Sequence, residues 1–356
     1  MYTKEERDLI TLACIDGLNY NTRRILLCDY EKSTPDFVKY ENALIKTMPC
    51  GVYNKVKARF YSADFREKLF ADLERKSVKC VTYFSANYPK LLKEIYSPPL
   101  VLFCKGDVSL LNTRCFSVVG SRRTPTKNLA DCKNIARSLA VHFTVVSGIA
   151  EGADTAAMEG ALETGKAISV LAYGFDYTYP PMNARLIERI AKEGLLVSEY
   201  PPETQPKPYY FPVRNRIIAG LSVGTLVVSA AKRSGALITA DIAAENNRDV
   251  FAFPYSVGIT AGEGCNMLIK KGAALVDNIL DIFGAYGLDF NTPQKKPMTE
   301  DERKVYEAIL SANEAFIPEI AEKLGKQPYQ LIPVVSSLEI KKLIIRLGGN
   351  RYSAVK

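Results

Sequence analysis

Residues 115–154 read CFSVVGSRRTPTKNLADCKNIARSLAVHFTVVSGIAEGAD. Two apolar, β-branched runs, at 116–119 and 143–146, flank an amphipathic stretch, and a glycine turn follows each run. Runs that are apolar at successive positions are typical of strands covered by helices on both faces. The segment therefore predicts a strand–helix–strand unit of a parallel α/β sheet.

The same alternation of strand and helix patterns continues to residue 283. Further apolar runs lie at 167–172, 194–197, 225–229 and 249–253. We therefore expect residues 81–283 to form a core built on a doubly wound parallel sheet. Pro98 and Pro99, in the segment leading into that core, favour extended backbone before a short strand.

Two smaller regions flank the core. Residues 1–80 show helical periodicity, for example at 9–15, 25–27 and 65–73, and predict a small helical domain. A Gly- and Pro-rich linker follows the core at 284–299. Residues 300–356 contain three helical patterns and an apolar strand pair, which predict a winged helix-turn-helix domain.

The predicted recognition helix of that last domain is unusual for a DNA reader. Such modules read the major groove through this helix. Here the helix, at 328–339, contains Pro333 and no basic residue. A protein-contact or autoregulatory role therefore fits it at least as well as DNA reading.

The composition excludes several kinds of site. The chain has 356 residues, a net charge of +8, one histidine and no tryptophan, so a multi-histidine metal centre is excluded. We expect no cofactor. Its eight cysteines are scattered without a C-x-x-C pair, which indicates free thiols in a reducing compartment. No run of about 18 apolar residues is present, so we expect a cytoplasmic protein without a membrane partner.

The loop after the first core strand suits a phosphate. Ligands of parallel sheets bind beyond the carboxyl ends of the strands. There, Gly120 and Ser121 precede Arg122 and Arg123. Glycine lets backbone approach a ligand, amides at the next helix N-terminus favour an anion, and arginine offers a bidentate fork. A tight turn with solvated arginines is the alternative.

Residues 207–216 read KPYYFPVRNR and combine cations with aromatic rings. Single-stranded nucleic acids are bound by such combinations, because cations follow the phosphates while rings stack on bases. The candidate residues of this segment are Lys207, Tyr210, Phe211, Arg214, Asn215 and Arg216. A second basic turn contains Lys232, Ser234 and Gly235, for which a plain helix N-cap at Ser234 is the alternative.

The basic residues of the core are unevenly distributed. Five of them and no acid lie between Glu203 and Asp241, and four and no acid lie between Asp107 and Asp131. Both windows contain loops at strand ends, so folding would gather their charges along one rim. A basic rim with aromatics is typical of a surface that binds a phosphate backbone.

The sequence lacks the phosphate-binding motifs of common nucleotide enzymes. It contains neither G-x-x-x-x-G-K-[ST] nor G-x-G-x-x-G. His142 precedes a strand, away from the expected site, and Asp154, Asp176 and Glu199 show no local pairing. A binding protein is therefore favoured over an enzyme. A nucleotide-binding or nucleotide-hydrolysing enzyme, and a transcription factor acting through residues 300–356, remain as alternatives.

Ordered motifs along the core resemble one known family. They are GSR at 120–122, SGIAEGAD at 147–154, YP at 179–180, SEYP at 198–201, FPVRNRIIAGLS at 211–222, SGALITA at 234–240 and GCNMLI at 264–269. Together they resemble the DNA-processing protein A family, DprA, also called Smf.

The resemblance implies a fold and a function. It implies a Rossmann-like core between a sterile-alpha-motif-like domain and a winged-helix domain. It also implies a non-catalytic homodimer, formed through the core, that binds and protects incoming single-stranded DNA during natural transformation and loads the RecA recombinase onto it.

The resemblance also implies roles for individual residues. Phosphates would be received by Gly120, Ser121, Arg122, Ser234 and Gly235. Lys207 and Arg214 would contact the DNA backbone, and Phe211 or Tyr210 would contact a base. Asn215 and Arg216 would brace the loop.

This sequence departs from the family pattern at three positions. Met158, Ser229 and Tyr255 stand where the family commonly has histidine, glutamate and glycine. The missing histidine and glutamate further weaken the case for hydrolase chemistry. None of the three lies in the Gly120–Arg122 loop or the Arg214–Arg216 segment.

Overall fold

A nine-stranded sheet lies at the centre of the molecule. The computed structural model describes residues 2–15, 44, 46, 49–288, 298–312, 314–341, 343–348 and 351–354. The strands of the central sheet are β1 Lys79–Thr82, β2 Val101–Gly106, β3 Cys115–Val119, β4 Thr144–Ser147, β5 Ala167–Leu171, β6 Leu195–Ser198, β7 Gly224–Val227, β8 Asp249–Ala252 and β9 Ala274–Leu275.

The spatial order of the strands is β1-β2-β6-β5-β4-β3-β7-β8-β9. In this spatial order, every neighbouring pair from β6 across to β9 is parallel. Strand β2 pairs antiparallel with both β6 and β1. The chain adds β4, β5 and β6 on one side of β3 and then returns to add β7, β8 and β9 on the other. This reversal beside β3 defines a doubly wound sheet, so the predicted fold class is confirmed.

Helices cover both faces of this sheet. Those of the core are α4 Lys90–Lys93, α5 Thr126–Leu139, α6 Ala153–Ala161, α7 Ala184–Glu193, α8 Tyr210–Leu221, α9 Gly235–Glu245, α10 Glu263–Lys270 and α11 Ile279–Ala285. Short 3-10 turns lie at Val108–Asn112, Pro181–Asn183 and Thr260–Gly262.

The burial of β3 explains why four of its five residues are apolar, and the hydroxyl of the fifth, Ser117, is hydrogen-bonded to β7. All five of its residues are buried. Phe116 and Val118 pack into one hydrophobic cluster, while Cys115 and Val119 pack into another. Successive side chains of a strand lie on opposite faces, so a strand between two helical layers buries both sets of side chains and favours apolar residues on each face.

The helices among the described N-terminal residues are α1 Lys4–Ala13, α2 Cys50–Tyr61 and α3 Ala63–Arg75. Residues of α1 and α3 pack against the antiparallel edge of the sheet, and α2 packs against α1. Leu9, Ile10 and Leu73 share a cluster with Val101 and Phe103 of β2. The helical pattern predicted at 25–27 lies outside the described residues. The boundary predicted at residue 80 falls inside β1, a strand that the sequence analysis missed because it is short and follows a polar helix end.

The described residues of the C-terminal region form three helices and a small sheet. Its elements are α12 Glu300–Ala312, β10 Ala315–Phe316, α13 Ile317–Leu324, α14 Pro328–Ile340, β11 Ile344–Leu347 and β12 Arg351–Ala354. The sheet order is β10-β12-β11. The C-terminal region has its own hydrophobic cluster, which includes Val305, Ile309 and Leu338. The winged-helix assignment stays a prediction that this element order suits.

Across the described residues, no helix is both long enough and apolar enough to cross a membrane.

Candidate nucleic-acid interface

Loops from several parallel strands meet at the carboxyl edge of the sheet. The backbone N–H of Ser121 donates to the carbonyl of Ser229, at 2.8 Å, and the N–H of Ala153 donates to the carbonyl of Ser121, at 3.3 Å. These bonds tie the loop after β3 to the loops after β7 and β4. The predicted Gly120–Arg123 loop and the basic turn after β7 therefore lie side by side.

Glycine is required where the loop after β4 crosses the loop after β3. Gly152 has a φ of 86°, and a Cβ there would lie 2.6 Å from the carbonyl oxygen of Ser121 and 2.7 Å from that of Arg122. Only glycine adopts this conformation without strain and leaves room for both carbonyls. The contact holds the loop while the side chains of Arg122 and Arg123 remain exposed.

Aromatic rings alternate with cations along this edge. The guanidinium carbon of Arg122 lies 5.7 Å from the centroid of the Phe211 ring. The ammonium nitrogen of Lys207 lies 5.7 Å from the Tyr210 centroid and 6.0 Å from the Tyr209 centroid. These are cation–π distances. We call Arg122, Lys207, Tyr209, Tyr210 and Phe211 the basic-aromatic rim.

Two further tyrosines extend the rim, and the sequence analysis assigned neither a binding role. Tyr179 lies 5.6 Å from Phe211 between ring centroids, and Tyr200 lies 4.2 Å from Tyr210. Both follow strands of the parallel sheet but have no basic neighbour in the sequence. Their position at strand ends was the available signal.

Arg214 is not part of the exposed rim. Its residue is only 5% exposed, and its guanidinium donates to the carbonyl of Val170 in β5. This corrects the expectation that Arg214 contacts the DNA backbone. The reason is that α8 begins at Tyr210, so Arg214 shares a helical face with the buried residues Ile217, Ile218 and Leu221.

The buried guanidinium of Arg214 faces the carboxylate of Asp154, at the start of α6. A Cβ at Gly148 would lie within 2.8 Å of Asp154 Oδ2 and of both terminal nitrogens of Arg214, so the two groups share one space. Burial raises the pKa of Asp154, and Arg214 opposes that rise. Burial also lowers the pKa of Arg214. Each of these two buried groups thus has a group of opposite charge nearby, which offsets part of the free-energy cost of burying a charge.

Arg216 and Asn215 hold α8 to neighbouring loops. One terminal nitrogen of Arg216 donates to both carboxylate oxygens of Glu199, at 2.7 and 2.8 Å. Asn215 Nδ2 donates to the carbonyl of Gly235, at 3.2 Å. Asn215 therefore links α8 to the start of α9, and Arg216 links α8 to Glu199, just after β6.

The basic turn after β7 is partly committed to helix capping. Ser234 is the N-cap of α9, and its hydroxyl accepts the N–H of Ala236 at 3.3 Å. A Cβ at Gly235 would meet nothing within 4 Å, so the backbone there is open to a ligand. Lys232 is exposed and lies 3.9 Å from Glu263.

The three departures from the family pattern occupy packed positions. Met158 is fully buried in the core. The Tyr255 hydroxyl donates to the carbonyl of Val228 at 2.8 Å, and the Ser229 hydroxyl donates to the carbonyl of Ala261 at 2.9 Å. The hydroxyl groups of Tyr255 and Ser229 are therefore hydrogen-bonded to backbone carbonyls.

Within the described ranges, no group of three His, Cys, Asp or Glu side chains is placed to hold a metal ion.

Comparison with protein families identifies the core. The model of the family "DNA recombination-mediator protein A" matches residues 79–287, which is more than half of the chain. The chain belongs to the DprA family. The matched range runs from β1 to the residues just after α11 and contains every residue of the basic-aromatic rim.

Curated DprA-family relatives share this region. The chain is 43% identical to the DNA processing protein DprA of Streptococcus pneumoniae over 200 residues, covering 56% of this chain and 71% of the relative. It is 38% identical to the DprA of Bacillus subtilis over 219 residues, covering 61% and 74%. It is 34% identical to the protein Smf of Escherichia coli over 291 residues, covering 78% of each.

Solved DprA structures share the fold. The crystal structure of S. pneumoniae DprA matches with a TM-score of 0.70 at 34% identity, over 82% of this chain and 99% of that one. A Helicobacter pylori DprA structure, described as giving insight into a single-stranded DNA binding mode, matches with a TM-score of 0.54 at 30% identity, over 59% and 95%.

Proposed function

We propose that this DprA-family chain binds single-stranded DNA across the basic-aromatic rim. The observation that carries the proposal is the placement of Arg122 beside Phe211 and of Lys207 beside Tyr209 and Tyr210, all at one edge of the sheet. Tyr209 is exposed, whereas Tyr210 and Phe211 are half-buried. Cations next to rings that are at least partly accessible suit a flexible strand whose phosphates and unpaired bases alternate. The H. pylori relative, described as binding single-stranded DNA, supports this choice of ligand.

The backbone around the rim supports phosphate binding. The loop after β3 is held by hydrogen bonds through Ser121 and exposes the side chains of Arg122 and Arg123. The open backbone at Gly235 lies at the start of α9, where helix N–H groups favour an anion. We therefore place phosphates at Gly120–Arg123 and at Ser234–Gly235, and bases on Phe211 or Tyr210.

We further propose that the chain is a recombination mediator. In this role it protects single-stranded DNA taken up during natural transformation and loads RecA onto it in the cytoplasm. Membership of a family described as a recombination mediator supports this role. RecA strand exchange on DNA coated with single-strand-binding protein tests it: stimulation by this chain is expected, and its absence would contradict the role.

We propose that the chain forms a homodimer through its core. The edge strand β9 offers a surface for this, because Ala274 and Leu275 are both exposed. An open sheet edge with an exposed leucine favours pairing with another chain.

We propose a protein-contact role for the C-terminal region, as a winged-helix domain. Tyr329, Ile332 and Ile340 of α14 are exposed, at 68%, 53% and 81%. An apolar helix surface without basic residues suits a protein better than the DNA backbone.

We propose that the chain acts without catalysis. Two carboxylates considered as acids or bases are engaged: Asp154 is buried beside Arg214, and Glu199 is paired with Arg216. Neither is presented to a substrate at the rim.

A matched pair of double variants tests DNA binding. Arg122→Ala with Lys207→Ala removes two rim cations. Arg137→Ala with Lys192→Ala removes two cations from the last turns of α5 and α7, at the opposite edge of the sheet. In fluorescence anisotropy with a labelled oligothymidylate, we expect the rim variant to bind about 100-fold more weakly and the control to bind nearly as the wild type does. Equal affinities of the two variants would refute the proposal.

A further inference from the structure

Lys76, just after α3, connects the N-terminal helices to two loops of the core. Its ammonium nitrogen lies 2.6 Å from a carboxylate oxygen of Asp72, 2.7 Å from one of Asp176 and 3.9 Å from one of Glu203. Its side chain is only 15% exposed. Asp176 follows β5 and Glu203 follows β6. One cation therefore joins α3 to two neighbouring loops at the carboxyl edge.

The ion pairs of Lys76 are favourable despite its burial. Burial acts to lower the pKa of Lys76, but hydrogen bonds to Asp176 and Asp72 outweigh it and raise the pKa above its ordinary value. The hydrogen bond from Lys76 also lowers the pKa of Asp72. The groups are therefore oppositely charged near neutral pH.

The two loops are also joined to each other. The N–H of Gly174 donates to the carbonyl of Thr204 at 2.8 Å, and the N–H of Asp176 donates to the carbonyl of Pro202 at 3.0 Å. A Cβ at Gly174 would overlap the carbonyl oxygens of Pro201 and Pro202, so this approach needs glycine. A restraint on Asp176 is therefore also a restraint on residues 201–204.

An apolar contact reinforces the same connection. Phe175 packs against the main core and also against the cluster that α1 and α3 form with β1 and β2. The ammonium nitrogen of Lys105 lies 5.4 Å from its ring centroid. The loop after β5 is thus held next to the N-terminal helices by packing as well as by charge.

The restrained loop leads directly into the rim. Lys207 is four residues after Glu203, and its carbonyl accepts the N–H of Tyr210 at 2.9 Å, at the start of α8. The short connection leaves little slack between the ion pairs and the rim residues. The position of the loop therefore affects where Lys207 and Tyr210 lie.

We propose that Lys76 is a positioning residue for single-stranded DNA binding. Through Asp176, whose backbone N–H is bonded to Pro202, it holds the loops 174–178 and 200–206 against the N-terminal helices, and so presents Lys207 and Tyr210 to the strand. This inference rests on the proposed function of the rim. It gives the N-terminal helices a role in DNA affinity without any contact of their own with DNA.

Asp176→Asn in the full-length chain is the decisive variant. It removes a negative charge, so long-range electrostatics alone predicts tighter DNA binding. Loss of positioning predicts the opposite, an affinity about fivefold weaker. Lys76→Met should weaken binding similarly, and Lys76→Arg should restore it. Asp64→Asn, an exposed carboxylate of α3 paired with Lys68, is the matched control.

Two measurements separate the inference from the function on which it rests. Amide exchange of residues 200–210 without DNA should be faster in Asp176→Asn and Lys76→Met than in the wild type and in Asp64→Asn. Affinity for a labelled oligothymidylate should fall in the same two variants. Unchanged exchange, or tighter binding by Asp176→Asn, would overturn the inference alone. A wild-type chain that binds no oligothymidylate would overturn the proposed function, and the inference with it.

Discussion

The guanidinium carbon of Arg122 lies 5.7 Å from the centroid of the Phe211 ring, although 88 residues separate them in the chain. Arg122 follows β3, and Phe211 is in the first turn of α8. The doubly wound topology brings these two segments to one edge of the sheet. Their contact places a cation beside an aromatic ring, which is the arrangement on which the proposed DNA site rests.

Loss of Arg122 should change the salt dependence of DNA binding. Arg122→Ala removes about one phosphate contact, so the affinity should fall about 10-fold and the slope of log affinity against log salt should become shallower by about 0.7. Anisotropy titrations at several salt concentrations measure both. Lys192→Ala, at the opposite edge, should leave the slope unchanged. An unaltered slope in Arg122→Ala would place the phosphates elsewhere.

The buried Arg214 should act on stability. Arg214→Met leaves Asp154 as an uncompensated buried carboxylate, so we expect a loss of about 3–5 kcal/mol in the free energy of unfolding. Urea unfolding followed by circular dichroism measures it.

The partly exposed Arg137 supplies the control for that measurement. Arg137→Met should cost less than about 1 kcal/mol. An Arg214→Met chain as stable as the wild type but weaker in binding DNA would show instead that Arg214 contacts the strand.

Arg214 also shows what the sequence could and could not predict. Strand patterns and glycine turns located the sheet and its carboxyl edge, because burial between helices imposes apolar residues at successive positions. The charges of the segment KPYYFPVRNR predict a single exposed surface that includes both Lys207 and Arg214. The spacing of Arg214 from Ile217, Ile218 and Leu221 contained the helical signal that separates it from Lys207.

Other features depended on contacts between distant segments. Tyr179 and Tyr200 join the rim only because β5 and β6 are neighbours. Asp154 and Arg214 are 60 residues apart, and their shared space beside Gly148 arises from packing. The ion pairs of Lys76 likewise need the N-terminal helices in place. One-dimensional patterns do not contain such pairings.

The C-terminal region should lose stability in acid because of Glu302. Hydrogen bonds from Lys341, Ser337 and the N–H of Thr299 lower the pKa of Glu302 from 4.5 to about 2. A carboxylate with a lowered pKa in the folded state contributes stability above its unfolded pKa and loses it as pH falls. The loss should therefore fall between about pH 4.5 and pH 2.

A tryptophan reporter makes this loss visible, because the chain has none. Tyr306→Trp places one in the C-terminal cluster. The urea midpoint of the Tyr306→Trp protein should fall as the pH is lowered from about 4.5 to about 2. Adding Glu302→Gln should lower the midpoint at neutral pH and flatten its pH dependence. Parallel pH profiles with and without Glu302→Gln would count against this account.

The exposed edge strand should control self-association. Leu275→Asp places a charge at β9, so the mass measured by light scattering should fall from that of two chains to that of one. Val141→Asp, at an exposed apolar position that precedes β4, should keep the mass of two chains. A Leu275→Asp protein that remains dimeric would move the interface away from β9.

The central claim is that bases of the bound strand stack on the rings at the start of α8, where Phe211 directly follows Tyr210. Because the chain contains no tryptophan, Phe211→Trp creates a single reporter in the rim. Val141→Trp creates one at an exposed site, 57% accessible, at the opposite edge. Each protein is titrated with unlabelled oligothymidylate while its tryptophan fluorescence is followed. Stacking predicts saturable quenching in Phe211→Trp and nearly none in Val141→Trp. Equal quenching in the two proteins, or none in Phe211→Trp while the oligonucleotide is bound, would contradict the claim.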